Sequence, residues 1–166
     1  MEPRINADEN VNNQIQSQTW SEPLLRDAPD ASLARKICEA LHSLLRADIE
    51  LLIRDVNEKT ITGRLADYLQ LQFPEWNVDC EYNRDGHDVK KIDGRIVVPD
   101  IVVHQRGGTD NLLVIEVKKS NSKEPDVEDL EKLKQFKTSR LGYRNALFIK
   151  FSIGHRAPGV QRTHWV

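Results

Sequence analysis

Two apolar, β-branched stretches with charged residues inside them constrain the fold of this chain more than any other feature. Residues 97–103 read VVPDIVV and residues 112–118 read LLVIEVK, with a glycine-containing loop at 105–111 between them. Runs of this kind on either side of such a loop predict two strands paired as a hairpin. Charge in an apolar strand is costly unless it is paired or binds a metal. The charged residues of these strands are Asp100, Glu116 and Lys118.

Strand geometry relates the three charged residues to one another. Side chains alternate between faces, so Glu116 and Lys118 share one face of their strand, and hairpin pairing brings Asp100 near Glu116. Two carboxylates, with the Val117 carbonyl between Glu116 and Lys118, are the oxygen ligands that Mg²⁺ prefers. A metal-bound water can attack a phosphodiester, and an adjacent ammonium can orient it or neutralise developing charge. The structural alternative is an ordinary salt bridge between Glu116 and Lys118 on a solvent-facing side of the strand.

The same residues match a known family pattern. Pro99-Asp100 followed by Glu116-Val117-Lys118 resembles the signature of the PD-(D/E)xK phosphodiesterase superfamily, whose fold is restriction-endonuclease-like. The resemblance extends over about residues 50–152, because the predicted helices and strands follow in the family's order. It implies a metal-dependent nuclease, with DNA as the favoured substrate and Mg²⁺ or Mn²⁺ as cofactor. Asp100 and Glu116 are then the metal ligands, and Lys118 is the catalytic lysine.

Many members of this superfamily carry a further acidic residue on the helix before the first strand. Glu58, at the start of a predicted helix, is the candidate for this fourth metal ligand, and Glu50 on the preceding helix is the second choice. The alternative for Glu58 is structural, because Asp55 and Glu58 have the spacing of a capping box.

Three basic residues are candidates for contact with substrate. Arg84 follows the first predicted strand, Lys119 extends the positive charge beyond Lys118, and Lys132 lies on the helix after the motif. Two of them have structural alternatives that the pattern favours. A solvated loop explains Arg84, and pairing with Glu128 one helical turn earlier explains Lys132.

Hydrophobic periodicity supplies the rest of the fold. Apolar residues recur at three- and four-residue steps over 31–55, 58–72 and 126–137, which predicts three helices. Strands are predicted over 78–82, 96–104, 112–118 and 146–151. This order predicts an α/β fold with three layers, α/β/α, around a small mixed sheet, restriction-endonuclease-like and preceded by N-terminal helices.

The ends of the chain show weaker patterns. Residues 1–30 are polar and predict a partly extended or disordered arm, with Trp20 as an anchor on the domain surface. Residues 31–154 are predicted to form the nuclease-like domain, and residues 155–166 a C-terminal tail.

Composition and charge limit the possible functions and the expected location of the protein, but they do not identify one function. The net charge is −2, so no global basic field indicates nucleic acid. From residue 118 onward, however, eleven Lys and Arg face five Asp and Glu, which favours nucleic acid across the C-terminal half or a solvated basic face. Cys38 and Cys80 lack metal-binding spacing, and there is no secretory signal or apolar run of roughly 18 residues, so we expect a cytoplasmic protein.

Partners are less constrained by the sequence. The resemblance implies nucleic acid, with DNA favoured, as the main partner, and a homodimer or a protein partner is compatible with a domain that holds one site. The alternative function is a catalytically silent nucleic-acid-binding or assembly module that keeps the nuclease-like fold.

Overall fold

The computed structural model describes residues 20–85 and 88–166. The helices are α1 (Ser21–Arg26), α2 (Ala31–Ile53), α3 (Glu58–Gln72) and α4 (Asp126–Thr138). The strands are β1 (Asn77–Cys80), β2 (Arg84–Asp85), β3 (Asp88–Val89), β4 (Lys91–Ile92), β5 (Arg95–Ile96), β6 (Ile101–His104), β7 (Asn111–Lys119), β8 (Asn145–Ser152) and β9 (Gly159–Trp165). None of the helices in these two ranges combines the length and apolar character that a bilayer crossing requires.

Five strands form the central sheet, in the order β1-β6-β7-β8-β9. Strands β6 and β7 pair antiparallel, which confirms the predicted hairpin, and β7 pairs parallel with β8. Strands β1 and β9 join antiparallel to β6 and β8. A parallel pair requires a crossover, and α4 provides it between β7 and β8. The predicted α/β architecture with a mixed sheet is therefore confirmed.

Alternating residues of β7 show how the layers pack. Leu113, Ile115 and Val117 are buried in one cluster with the apolar sides of α2 and α3. Val114 is buried in a second cluster with Leu133 of α4. Because neighbouring strand residues point to opposite faces, helices cover both sides of the sheet. Glu116 and Lys118 have the same parity as Val114, so both side chains project toward α4.

The two ends of the described chain pack on each other. Trp20 and Leu24 are buried. On β9, the Thr163 hydroxyl donates to the Trp20 carbonyl at 3.4 Å, and the Trp165 indole N–H donates to the Leu24 carbonyl at 2.9 Å. The prediction of an arm is therefore wrong for residues 20–30, and residues 1–19 lie outside the described residues. The prediction of a tail at 155–166 is also wrong, because β9 pairs with β8 as an edge strand of the sheet.

The first motif-bearing strand is shorter than predicted. The sequence predicts a strand over 96–104, but only Ile101–His104 pairs with β7, and Arg95–Ile96 pairs separately with Lys91–Ile92. Asp93 and Gly94 connect this second pair with φ of 49° and 76°, which is the two-residue turn that favours Asp-Gly. Pro99 has no N–H for a strand ladder, so Asp100 lies just before β6 begins.

Candidate active site

Two carboxylates occupy the edge of β7 that β6 leaves unpaired. Strand β6 begins at Ile101, opposite Ile115, so the later residues of β7 extend beyond it. Asp100 accepts a hydrogen bond from the Val117 N–H at 2.7 Å, and Glu58 accepts one from the Lys119 N–H at 3.0 Å. These carboxylates therefore replace a neighbouring strand and lie side by side along the edge.

The backbone of Val117 faces the same edge. In an extended strand the N–H and C=O of one residue point toward the same neighbour. Because the Val117 N–H points to Asp100, its carbonyl is directed to the side where Asp100 and Glu58 lie. The predicted backbone ligand is thus on the carboxylate side of the strand.

Glu116 is the most deeply buried acid of the site, with 2% of its surface exposed. One carboxylate oxygen, Oε2, accepts from the Lys132 ammonium at 2.9 Å. The other, Oε1, is buried and has no hydrogen-bond donor among the described residues, and the Asp100 carboxylate is its acidic neighbour. Burial, followed by the charge of Asp100, raises the pKa of Glu116 to about 8. A buried acceptor without a donor is costly, and a cation would remove that cost.

Lys118 is also buried, and it does not pair with Glu116. Its ammonium donates to the Pro125 carbonyl at 3.1 Å and forms an ion pair with Asp129. The alternative of a solvent-facing Glu116–Lys118 salt bridge is therefore wrong for this structure. Lys118 and Glu116 project to one face, as strand parity predicts, and each meets a different residue of α4.

Helix α4 provides these counter-charges from a single stripe. Asp126, Asp129 and Lys132 are spaced three residues apart, so they lie along one side of the helix. Asp129 pairs with Lys118, and Lys132 pairs with Glu116. The prediction that Lys132 pairs with Glu128 is wrong, because the buried carboxylate takes its ammonium. Asp129 is a site residue that the sequence motif does not include. Its helical spacing from the buried Leu133 and Phe136 nevertheless indicates that it faces the sheet.

The structure separates the two candidates for a further acidic ligand. Asn57 caps α3, accepting from the Lys59 N–H at 2.8 Å, so the predicted capping box does not form. Glu58 is thereby free to reach β7. Its pKa is raised by burial and by the nearby charges of Asp100 and Asp129. Glu50 instead lies exposed on α2 in a surface pair with Arg54, so it does not contribute to the site.

Two of the residues predicted to contact substrate, Lys119 and Arg84, do not contact the site carboxylates through their side chains. The Lys119 ammonium pairs with Asp55 at 2.6 Å and donates to the Val56 carbonyl at 3.0 Å, which fixes the end of β7 against the start of α3. Arg84 is exposed on β2, and its guanidinium has no hydrogen bond or ion pair with another described residue. The structure does not join Arg84 to the carboxylates.

A small cavity of about 110 Å³ opens beside the carboxylates. Its walls include Glu58, Asp100, Thr62 and Cys80. Within residues 20–85 and 88–166, no three His, Cys, Asp or Glu side chains are placed to hold a metal ion together. The arrangement instead offers Asp100, Glu116 and a backbone carbonyl. Mg²⁺ keeps several of its waters and is commonly held by one or two carboxylates, so this donor set suits it.

Surplus negative charge is the common property of the site. Burial, as the larger cause, and the nearby Asp129 carboxylate raise the pKa of Asp100 above its usual range. Four acids, Glu58, Asp100, Glu116 and Asp129, influence one another here, whereas Lys118 and Lys132 are the ammonium groups paired with them. The imbalance favours either protonation or an added cation.

Comparison with models of known protein families, with characterised proteins and with solved structures finds no match to this chain. The assignment to a superfamily therefore stays a prediction from the motif.

Proposed function

We propose that this protein is a metal-dependent nuclease that hydrolyses phosphodiester bonds in DNA. The observation that carries the proposal is the buried Glu116 carboxylate, which has one oxygen without a partner. It lies close enough to Asp100 for their charges to interact and shares a strand face with a buried lysine. In this proposal Asp100, Glu116 and the Val117 carbonyl hold Mg²⁺ or Mn²⁺, with Glu58 as a further acidic group at the edge.

Each residue has a defined part in the proposed reaction. A metal held by Asp100, Glu116 and the Val117 carbonyl would supply an activated water and positive charge at the scissile phosphate. Lys118 is close to the metal ligands along β7, and its ammonium neutralises charge that develops on the phosphate oxygens. Asp129 and the Pro125 carbonyl fix the direction of that ammonium. The burial of Glu116 and Lys118 excludes bulk water and so strengthens these interactions.

Cleavage assays test the proposal directly. Wild type is incubated with single-stranded, double-stranded and branched DNA and with RNA, in Mg²⁺, in Mn²⁺ and in EDTA. We expect metal-dependent cleavage of DNA that falls by about 10²–10⁴-fold in Asp100→Asn and in Lys118→Met, because the first loses a metal ligand and the second a charge at the reacting phosphate.

Glu50→Gln is the matched control, since it removes an exposed carboxylate from the same domain. It should keep wild-type activity. Cleavage that survives both Asp100→Asn and Lys118→Met, or no cleavage of any substrate with either metal, contradicts the proposal.

A second candidate is a nucleic-acid-binding or assembly module without turnover. The observation that favours it is the engagement of both site lysines by acids of the protein, which leaves neither ammonium free. Such a protein would bind DNA equally well with and without metal and would cleave nothing, so the same assay separates the two functions.

A further inference from the structure

Three basic residues form a row across the sheet beside the candidate active site. The strand registers place Lys118 opposite Lys150 on β8, and Lys150 opposite Arg162 on β9. All three side chains are on the α4 face, because each forms an ion pair with an acid of that helix. We call Lys118, Lys150 and Arg162 the basic row. Like charges opposite each other on neighbouring strands repel, so the alignment needs a compensating anion.

The protein compensates this row only in part. Asp129 pairs with Lys118, and a single carboxylate, Asp126, serves both Lys150 and Arg162. Lys150 makes two hydrogen bonds to Asp126, at 2.9 and 3.1 Å. The Arg162 guanidinium approaches Asp126 only to 3.7 Å and donates no hydrogen bond to any described residue. Three cations are thus paired with two acids. The N–H groups of the outermost cation, Arg162, form no hydrogen bond to a described residue and remain available as donors.

Exposure increases along the row away from the active site. The side chains of Lys118, Lys150 and Arg162 are 5%, 21% and 47% exposed. Adjacent strands are about 4.8 Å apart, so the row extends about 10 Å from the candidate catalytic lysine to the surface. The row is therefore long enough to contact more than one phosphate of a DNA strand.

The loops at the same end of the sheet add further positive charge. Residues 120–125 follow β7 and residues 153–158 follow β8, and in them Lys123 and Arg156 are exposed. Neither forms an ion pair with another residue of the described ranges, and Glu124 is the one acid in the two loops. The acids beside these cations are Glu124 and those of the first turn of α4, Asp126, Glu128 and Asp129, and two of them, Asp126 and Asp129, are already paired with the basic row. Lys123 and Arg156 are therefore exposed cations without a paired acid among the described residues.

We infer that the basic row and these loops bind the phosphate backbone of a DNA strand whose scissile phosphate lies at Lys118. Arg162 is the outer clamp, because its exposed guanidinium can contact a phosphate through two parallel hydrogen bonds. Lys150 sits between the two ends and holds the row against α4 through Asp126. This inference rests on the proposed nuclease function and names the path that its substrate takes.

Salt-dependent binding measures the number of phosphates that the surface contacts. The probes are fluorescein-labelled single-stranded and duplex DNA, titrated with full-length protein in EDTA over a range of KCl, so that no cleavage occurs. The logarithm of the binding constant falls with the logarithm of salt concentration by about 0.9 per phosphate contact on duplex DNA and by about 0.7 on single strands. We expect Arg162→Gln to weaken binding several-fold and to reduce the slope by about one contact. Adding Lys123→Gln should reduce it further.

Arg35→Gln is the matched control, since Arg35 is an exposed arginine on α2 without an ion pair among the described residues. It should leave both affinity and slope unchanged. An Arg162→Gln protein with wild-type affinity and slope overturns the inference while leaving the nuclease proposal intact. A wild-type protein that neither binds nor cleaves DNA overturns both. Competition by polyglutamate as effective as that by DNA would also overturn the inference, because the surface would then recognise any polyanion.

Discussion

Two buried charged regions lie on the α4 side of the sheet, and their charges are satisfied in opposite ways. In one, Lys90 is 1% exposed, donates to the Tyr143 hydroxyl at 2.6 Å and lies about 5 Å from the centres of the Tyr82 and Tyr143 rings. In the other, one oxygen of the Glu116 carboxylate accepts from Lys132, and the other has no hydrogen-bond donor among the described residues and lies near the Asp100 carboxylate. The first region places a cation against aromatic rings, and the second places several acids close to one another.

The difference distinguishes a structural charge from one that can accept a ligand. Burial lowers the pKa of Lys90 to about 8 and raises that of Glu116 to about 8, so at pH 7 both groups are mostly protonated, Lys90 as a cation and Glu116 as a neutral acid. Among the described side chains, however, the one buried polar atom without a hydrogen-bond partner belongs to Glu116. A cation added at Glu116 gains contacts, whereas an anion added at Lys90 would first have to displace tyrosine rings.

The largest effect that we expect in this comparison is on stability, at Lys90. Its pKa is about 8 in the folded chain, against 10.5 when unperturbed. Between these values the unfolded chain binds more protons than the folded one, so the free energy of unfolding rises with pH, by up to about 3 kcal/mol. Below about pH 8 both states are protonated and the cost of burying the charge is present in full. Urea unfolding from about pH 7 to pH 10.5 should show the stability of wild type rise relative to that of Lys90→Met, since the two proteins share their other titrating groups.

Lys91→Met provides the control, because it removes an exposed lysine from the neighbouring position and should keep the wild-type rise. Parallel stability curves for wild type and Lys90→Met would show that the aromatic surroundings do not perturb Lys90.

The next effect concerns metal affinity and the Lys132–Glu116 pair. Lys132 holds Oε2, which leaves Oε1 as the free oxygen of Glu116. Lys132→Met removes that constraint and leaves a buried carboxylate without its partner. We expect Mn²⁺ affinity, measured by calorimetry, to fall about 10- to 100-fold, the usual range for residues that orient a metal ligand.

Lys132→Arg should retain most of the affinity, since it keeps the charge. Lys134→Met, which breaks an exposed pair with Glu131, should change nothing. Equal Mn²⁺ affinity in wild type and Lys132→Met would remove Lys132 from the site.

The smallest effect is the pH dependence of the same metal binding. Because the pKa of Glu116 is about 8, this carboxyl is mostly protonated at pH 7 and must release its proton to a metal. Affinity should therefore rise by about tenfold per pH unit up to about pH 8 and then level off. Calorimetry at pH 7 in two buffers of different ionisation enthalpy should detect about one released proton. Affinity that is constant between pH 6 and 8 would show that Glu116 is already ionised.

The parts of the fold that local patterns encode were predictable from the sequence. The bounds of α3, Glu58–Gln72, follow from apolar spacing and from Phe73-Pro74, and the β6–β7 hairpin follows from two apolar runs around a short loop. Strand β9 was missed because its residues mix polar and apolar types without a clear period. Its extended conformation depends on pairing with β8, and such a tertiary contact is not encoded in the local sequence pattern.

In the candidate site, too, the local pattern predicts some features, whereas others depend on tertiary packing. Strand parity predicts that Glu116 and Lys118 share a face, and the hairpin predicts that Asp100 is near. The partners of the charges were not predictable, because they depend on how α4 packs on the sheet. A local rule pairs Lys132 with Glu128, but the buried Glu116 carboxylate gains more from the ammonium than an exposed acid does.

The contact between α1 and β9 has a consequence for how the chain is made. Trp20 and Leu24 are covered by residues that leave the ribosome more than 130 positions later. Until β9 is synthesised, β8 has an open edge and α1 can pack only on α2, so the nascent domain exposes strand and apolar surface together. Folding to completion must then await the last residues of the described chain. A ribosome-bound chain stalled before β9 should be far more sensitive to protease than the released protein.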